Sequence, residues 1–305
     1  MDGRNVTSVA VFLLMGVTDL SWLQKVLFVL VVFFYLLDVL GNSVIISLVF
    51  QDISLHSPMY FLLANLSFVD ICFSSVTVPK MMVGFWKHNT ISLEGCIAQM
   101  YFFHFLGCTE GILLASMGYD RYAAICQPLR YNALMGKNVC VFFVLISWVI
   151  GLTTSFVHAI MASQLPFCNS NKIMHFFCDV KPVIKLACAD IHLNEAILTN
   201  VLGFLSTVTF VLTIVSYVFI IFSLLKIRSS YRRSKAFSTC SSHLTVVILF
   251  YGTAMCTYLG PSTKDTIEKD RIAALLFTVI TPAMNPVIYT LRNQEVKKSL
   301  KKALS

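Results

Sequence analysis

Charge is what this chain has little of. Asp, Glu, Lys and Arg make up 12% of its 305 residues, against 57% hydrophobic, where a soluble domain carries about 25% charge. The shortage runs along the whole length. It argues against an ordinary soluble globule and for one integral membrane domain over residues 1–305. Internal repeats of the kind common in transporters are also missing, as are low-complexity segments and signs of a second domain. No metal motif or nucleophile elbow is present, so nothing supports an enzyme. A convincing cleavable leader is lacking too. Val9–Val17 is apolar but short, and no basic region precedes it; the first span is expected to serve as the insertion signal.

What is present is a series of long apolar runs. Spans are predicted at Val26–Phe50, Met59–Met82, Ala98–Ile125, Val139–Ile160, Asn194–Ile227, Ala236–Leu259 and Ile272–Leu291, each close to the length that crosses a bilayer. The predicted fold class is an all-α membrane protein: a seven-transmembrane helix bundle over 26–291, an outer N-terminus over 1–25 and an inner tail over 292–305. In the tail, Val296, Leu300 and Leu304 recur at helical spacing with lysines between. That predicts a short amphipathic helix on the inner membrane surface, with a frayed, solvated tail as the alternative.

The net charge of +8 invites a nucleic-acid reading, which its distribution opposes. Inner segments hold 13 Lys/Arg against Asp52, Asp120 and Glu295, whereas outer segments hold 10 against 9 acids. This positive-inside bias puts the C-terminus in the cytoplasm. An outer N-terminus would make Asn5-Val6-Thr7 a usable glycosylation sequon at Asn5.

Four of the ten cysteines, Cys96, Cys168, Cys178 and Cys188, fall at or in outer segments. An oxidising exterior favours disulfides, in any of three connectivities. A zinc site is the alternative, although ten-residue spacings are unlike those of ligands. The remaining six read as buried apolar thiols.

Asp70, Glu110, Asn42 and Asn285 fall mid-span on four different helices. A charge near the bilayer centre costs at least ~2.5–3.5 kcal/mol, so such residues need partners. Asp70 and Glu110 suit a two-carboxylate pocket for a monovalent cation, sodium being the expected occupant. A protonated carboxyl hydrogen-bonded to Asn285 is the other reading. Asp38 lies one turn before Asn42 and either joins this network or is protonated against a backbone group. Glu110 and Arg121 are 11 residues apart, near three helical turns, and so share one stripe of span three. Asp120 can neutralise Arg121 locally, while Arg232-Arg233-Ser234-Lys235 at the start of span six offers it no acid. A snorkelling interfacial arginine is the bland reading of Arg121.

Five motifs in order give the chain a family likeness: Pro58-Met59-Tyr60-Phe61-Leu62 opening span two, Met117-Gly118-Tyr119-Asp120-Arg121-Tyr122-Ala123-Ala124-Ile125-Cys126 closing span three, Ser216-Tyr217 in span five, Lys235-Ala236-Phe237-Ser238-Thr239-Cys240-Ser241-Ser242-His243-Leu244 opening span six, and Pro282-Ala283-Met284-Asn285-Pro286-Val287-Ile288-Tyr289 in span seven. Over essentially its whole length the chain resembles the olfactory (odorant) receptors of the rhodopsin-like G-protein-coupled receptor family. His175-Phe176-Phe177-Cys178-Asp179 resembles the tetrapod-type (class II) branch. The chain departs from the usual pattern at Gly118 (commonly Ala), Ala123 (Val), Ala283 (Met), Ser54 (a basic residue) and Asp38 (an uncharged residue).

The resemblance implies disulfides Cys96–Cys178 and Cys168–Cys188, an odorant ligand, and a stimulatory olfactory G protein that raises cyclic AMP from the plasma membrane. It supports the sodium role of Asp70 and Glu110. It makes Asp120, Arg121, Tyr122, Tyr217 and Tyr289 the switch at the inner face, with Tyr217 and Tyr289 as partners of Arg121 once span six swings outward. The basic residues Lys226, Arg228, Arg232, Arg233 and Lys235 read mainly as topology and lipid contacts, at ~1 kcal/mol each, with G-protein contact as the alternative. For the ligand, His104, Gly107, Cys108 and Gly111 recur along one side of span three, facing Val201, Leu202 and Ser206 on span five and Tyr251, Met255 and Tyr258 on span six. The small residues either leave room for a ligand or pack helices closely; the facing residues are equally open between pocket and bundle. Phe103 stands where amine receptors carry Asp, and Val279 where opsins carry the retinal lysine. A small, neutral, mainly apolar ligand is expected, with no cofactor beyond sodium. The competing classes are a non-olfactory receptor for a lipid-like ligand and a small-solute transporter.

Overall fold

The computed structural model describes residues 10–18, 20–86, 89–168, 170–226, 230–258 and 267–304. The Asn5 sequon, Ile227, Arg228 and Leu259 lie outside them, as do the side chains of Arg232, Lys235 and Leu304. Six long helices follow one another: α1 (Ser21–Gln51), α2 (Pro58–Gly84), α3 (Leu93–Cys126), α4 (Lys137–Ser163), α5 (His192–Lys226) and α6 (Ser230–Tyr258). The seventh, α7, runs as Ile267–Leu275, a π-helical stretch Leu276–Ile280 and Thr281–Arg292, and α8 (Gln294–Leu304) closes the chain. Seven of these are long and apolar enough to cross a membrane.

Local chemistry sets the helix ends. Pro58 starts α2, where its missing N–H costs nothing. Ser92 accepts from the Gly95 N–H and Glu94 sits in the first turn, so α3 is capped and its dipole complemented. At the inner end of α7, the Asn293 side chain accepts from the Glu295 and Val296 N–H groups and from the Tyr60 hydroxyl, which fixes α8 beside α2. Val296 is buried beneath α8 while Lys297, Lys298, Lys301 and Lys302 are exposed, as an amphipathic surface helix requires.

α3 runs through the centre, packed on α2, α4, α5 and α6, while α1 and α7 close the bundle against α2. Apolar side chains such as Val29, Leu40, Phe204 and Leu212 are exposed on the outer faces of α1 and α5, as lipid-facing residues must be. The polar residues go inward. Asp38, Asp70, Glu110, Asn42 and Asn285 are all buried. The two prolines of α7 and the π stretch leave that helix locally irregular beside this cluster, a common association of π segments with functional sites.

The outer surface carries a small sheet that helical periodicity does not reveal. β1 (Val11–Leu14) pairs antiparallel with β2 (Asn89–Ser92) and parallel with β3 (Lys172–Ile173). Part of the apolar run Val9–Val17 is thus the middle strand, with Phe12 and Leu14 buried. Cys96 is bonded to Cys178 and Cys168 to Cys188, with Cα separations of 5.4 and 5.8 Å. The first bond pulls the long α4–α5 loop over the mouth of the bundle.

Candidate functional site

The inner end of α3 holds Arg121 tightly. Its Nε and a terminal nitrogen donate to one Asp120 oxygen at 3.1 and 2.7 Å, and the Tyr131 hydroxyl donates to the other at 2.8 Å. Asp120 is fully buried, whereas the Arg121 side chain stays partly exposed at 15%. Burial and the adjoining carboxylate push the Tyr131 phenol up, which keeps it a donor. Tyr122 packs between Tyr119 and Phe219. The Tyr289 hydroxyl is buried without a hydrogen-bond partner, and Tyr217 bonds elsewhere.

Tyr217 instead meets His243, whose role was not read from the sequence. His243 Nε2 lies 3.1 Å from the Leu114 carbonyl, and Nδ1 lies 2.8 Å from the Tyr217 hydroxyl. A carbonyl only accepts, so Nε2 carries the proton and Nδ1 is an acceptor, sharing the Tyr217 hydroxyl proton with the Cys240 carbonyl 3.0 Å from that hydroxyl. The chain Tyr217–His243–Leu114 ties α5, α6 and α3 at one level, doing what the acid missing from the start of α6 cannot. His243 stood inside a quoted motif, but only the fold brings it to Leu114, 129 residues away in sequence.

At mid-membrane, Asn285 donates to Asp70 at 2.9 Å, while Asn42 and Ser74 donate to Asp38. Five buried oxygens nearby have no hydrogen-bond partner: Asp70 Oδ1, Glu110 Oε1, Asn42 Oδ1, Asn285 Oδ1 and Tyr289 Oη. Buried and unpaired, these oxygens would be relieved either by a hard monovalent cation or by a proton on a carboxyl. Among the described residues no three His, Cys, Asp or Glu side chains form a metal site, so amide and hydroxyl oxygens would complete the coordination.

The outer half is roofed by the loop. Phe177 packs on Phe103 at 4.7 Å, Phe103 stacks on Phe73 at 4.9 Å, and Phe277 meets Phe73 at 5.4 Å. The Cys178 N–H donates to Gln99 at 2.9 Å, and Lys181 donates to the Tyr258 carbonyl. Val279 is buried in the π stretch. Of the residues predicted to line a pocket, His104 and Tyr258 come together, rings 6.4 Å apart, beside Cys108. The space beside Gly111 is filled rather than open. Phe250 and Tyr251 crowd it, and the Tyr251 hydroxyl donates to the Gly111 carbonyl at 3.2 Å. Gly107 likewise faces Phe73. Leu202 packs under the loop against Met100, Ala162, Val180 and Ile184. Val201, Ser206 and Met255 are exposed, outside the group that His104 gathers. Sequence spacing missed Asp179 and His158. The loop carries Asp179 to within 3.5 Å of His104, and α4 brings His158 to a ring distance of 6.4 Å.

Comparison with known proteins agrees with this architecture. A family model described as olfactory receptor matches residues 31–305. Human olfactory receptor 12D1 is 49% identical over 302 residues, covering 98% of this chain and 94% of the relative. Human olfactory receptor 12D2 is 48% identical, covering 97% of each. Gorilla gorilla gorilla olfactory receptor 1G1 is 45% identical over 100% of this chain and 97% of its own length. The fold is thus that of a multi-pass, seven-helix receptor and not of an enzyme. The chain belongs to the olfactory receptor family, in its tetrapod-type (class II) branch.

Proposed function

We propose that this chain is a plasma-membrane odorant receptor that takes a small, mainly apolar volatile into the outer half of the bundle and activates a stimulatory olfactory-type G protein, raising cyclic AMP. The observation that carries this reading is the closed inner latch. Arg121 is held by Asp120, and α6 is tied through His243 to the α3 backbone. Both holds lie on the helix that also supplies His104 to the outer half. A ligand that shifts α6 against α3 strains the Leu114–His243 bond. Releasing it frees Tyr217 and exposes Arg121 to a partner at the inner face. The N-terminus is outside and the C-terminus inside by the charge bias. A sodium ion held by Asp70 and Glu110, with help from Asn285 and Asn42, supplies positive charge that offsets the two carboxylates and favours the resting packing.

Expression with the olfactory G protein, a cyclic-AMP reporter and a diverse volatile panel tests the reading. At least one volatile should raise cyclic AMP in a dose-dependent way, and Arg121→Ala at equal surface level should abolish the response. A full response in Arg121→Ala would contradict the mechanism.

A further inference from the structure

His104 Nε2 and Asp179 Oδ1 face each other at 3.5 Å with no hydrogen bond between them. His104 Nδ1 lies 3.0 Å from the Met100 carbonyl of its own helix. That carbonyl can only accept, so Nδ1 carries a ring proton, and in the neutral tautomer this geometry selects Nε2 offers a lone pair. Nε2 is buried and makes no hydrogen bond. The polar atom it faces is Asp179 Oδ1, at 3.5 Å, which is again an acceptor. Asp179 Oδ1 is already engaged, accepting from the Val180 N–H at 2.7 Å. His104 and Asp179 are 5% and 3% exposed, so bulk water does not make up the deficit. On the α4 side, His158 Nε2 and Ser155 Oγ are also buried without partners. Phe103, Phe177 and the Tyr258 ring supply apolar surface around His104.

Two facing acceptors favour a molecule that brings a donor between them. We infer that the ligand of this receptor carries a hydroxyl group, and that His104 Nε2, beside Asp179, accepts its hydrogen bond. This rests on the odorant-receptor reading and narrows its ligand class from any apolar volatile to alcohols and phenols. A ketone, aldehyde or ether of the same skeleton presents only lone pairs and leaves the His104 acceptor unpaired. A buried polar group left unpaired costs about 1–3 kcal/mol, so discrimination of roughly tenfold or more is expected.

The test uses the full-length receptor in the cyclic-AMP assay with matched probes: straight-chain and phenyl alcohols of six to ten carbons, their methyl ethers, the corresponding ketones and the corresponding primary amines. Alcohols should act at concentrations at least tenfold below the ethers and ketones. His104→Phe, which removes the acceptor, and Asp179→Asn, whose amide can donate to Nε2 internally, should each collapse the alcohol-to-ether potency ratio towards one. The ratio is taken within each variant, so surface level cancels. If a variant does not reach the surface, the wild-type ratio decides. Ethers or ketones as potent as alcohols in the wild type, or a ratio unchanged in His104→Phe, would overturn the inference while leaving the receptor function standing. Amines stronger than alcohols would overturn it in favour of an ion-pair site at Asp179. Silence towards every probe and every other volatile would count against both readings.

Discussion

Gly118 sits beside the latch, facing Thr213 and His243. A methyl group added there would lie 3.5 Å from Thr213 Cγ2 and 3.8 Å from His243 Cε1, which is ordinary contact. Gly118→Ala therefore fills space between α3, α5 and α6 without forcing them apart. Burying one methyl is worth about 0.8 kcal/mol. The variant should melt at a higher temperature and show lower ligand-free cyclic AMP at equal surface level. Raised basal signalling would show that the methyl wedges the helices instead. At this scale the sequence exposed the identities of Asp120, Arg121, Asp70 and Glu110, because charges inside apolar runs stand out. It hid Asp179 and His243. An acid in a polar loop and a histidine near a helix start look ordinary until the chain folds back over itself.

Among the elements, the α4–α5 loop does most to shape the outer half. It is bonded to α3 through Cys178, stacked on Phe103 through Phe177, and held to α7 by the Arg271 Nε bond to the Met174 carbonyl at 3.1 Å. His175 is buried between the Phe176 and Phe177 rings, and burial pushes its imidazole down to about 4 from 6.5. Above pH 6.5 the ring is neutral whether the loop is docked or not. As pH falls below that value, the undocked loop takes up a proton that the docked loop refuses. Stability is therefore lost progressively between about 6.5 and about 4, and no further below. The purified receptor should melt lower at about pH 5 than at about pH 7, and His175→Gln should flatten that slope. An equal slope in the variant would place the sensitivity elsewhere. The helices were legible in the apolar runs, to within about one turn at most ends. The α3 helix, read as Ala98–Ile125, extends to Leu93–Cys126. The outer sheet was not legible, because β1 finds its partners 78 and 159 residues along the chain. Strand pairing at that range leaves no periodic trace.

The whole molecule links three layers along α3: the acceptor pair under the loop, the carboxylates at mid-membrane and the arginine at the inner face. If a cation occupies the oxygens left unpaired around Asp70 and Glu110, raising sodium should lower ligand-free signalling in the wild type, and Glu110→Gln should blunt that effect. Basal signalling indifferent to sodium in both would count against the site. Architecture and the number of spans followed from pattern and spacing. The pocket did not. Helical spacing gave the side of α3 that carries Gly107 and Gly111, but Phe73, Phe250 and Tyr251 pack into that space. Which side chains fill a gap depends on how neighbouring helices rotate, and no single-helix period encodes that.

On the proposed function, an event in the outer half opens the latch around Arg121. Nucleotide exchange on a purified stimulatory G protein, with the receptor in lipid vesicles and an activating volatile present, measures it directly. The wild type should accelerate exchange only when the volatile is added, and Arg121→Ala should not. Exchange at the same volatile-driven rate in Arg121→Ala, or none from the wild type while the volatile is shown to bind, would contradict the account.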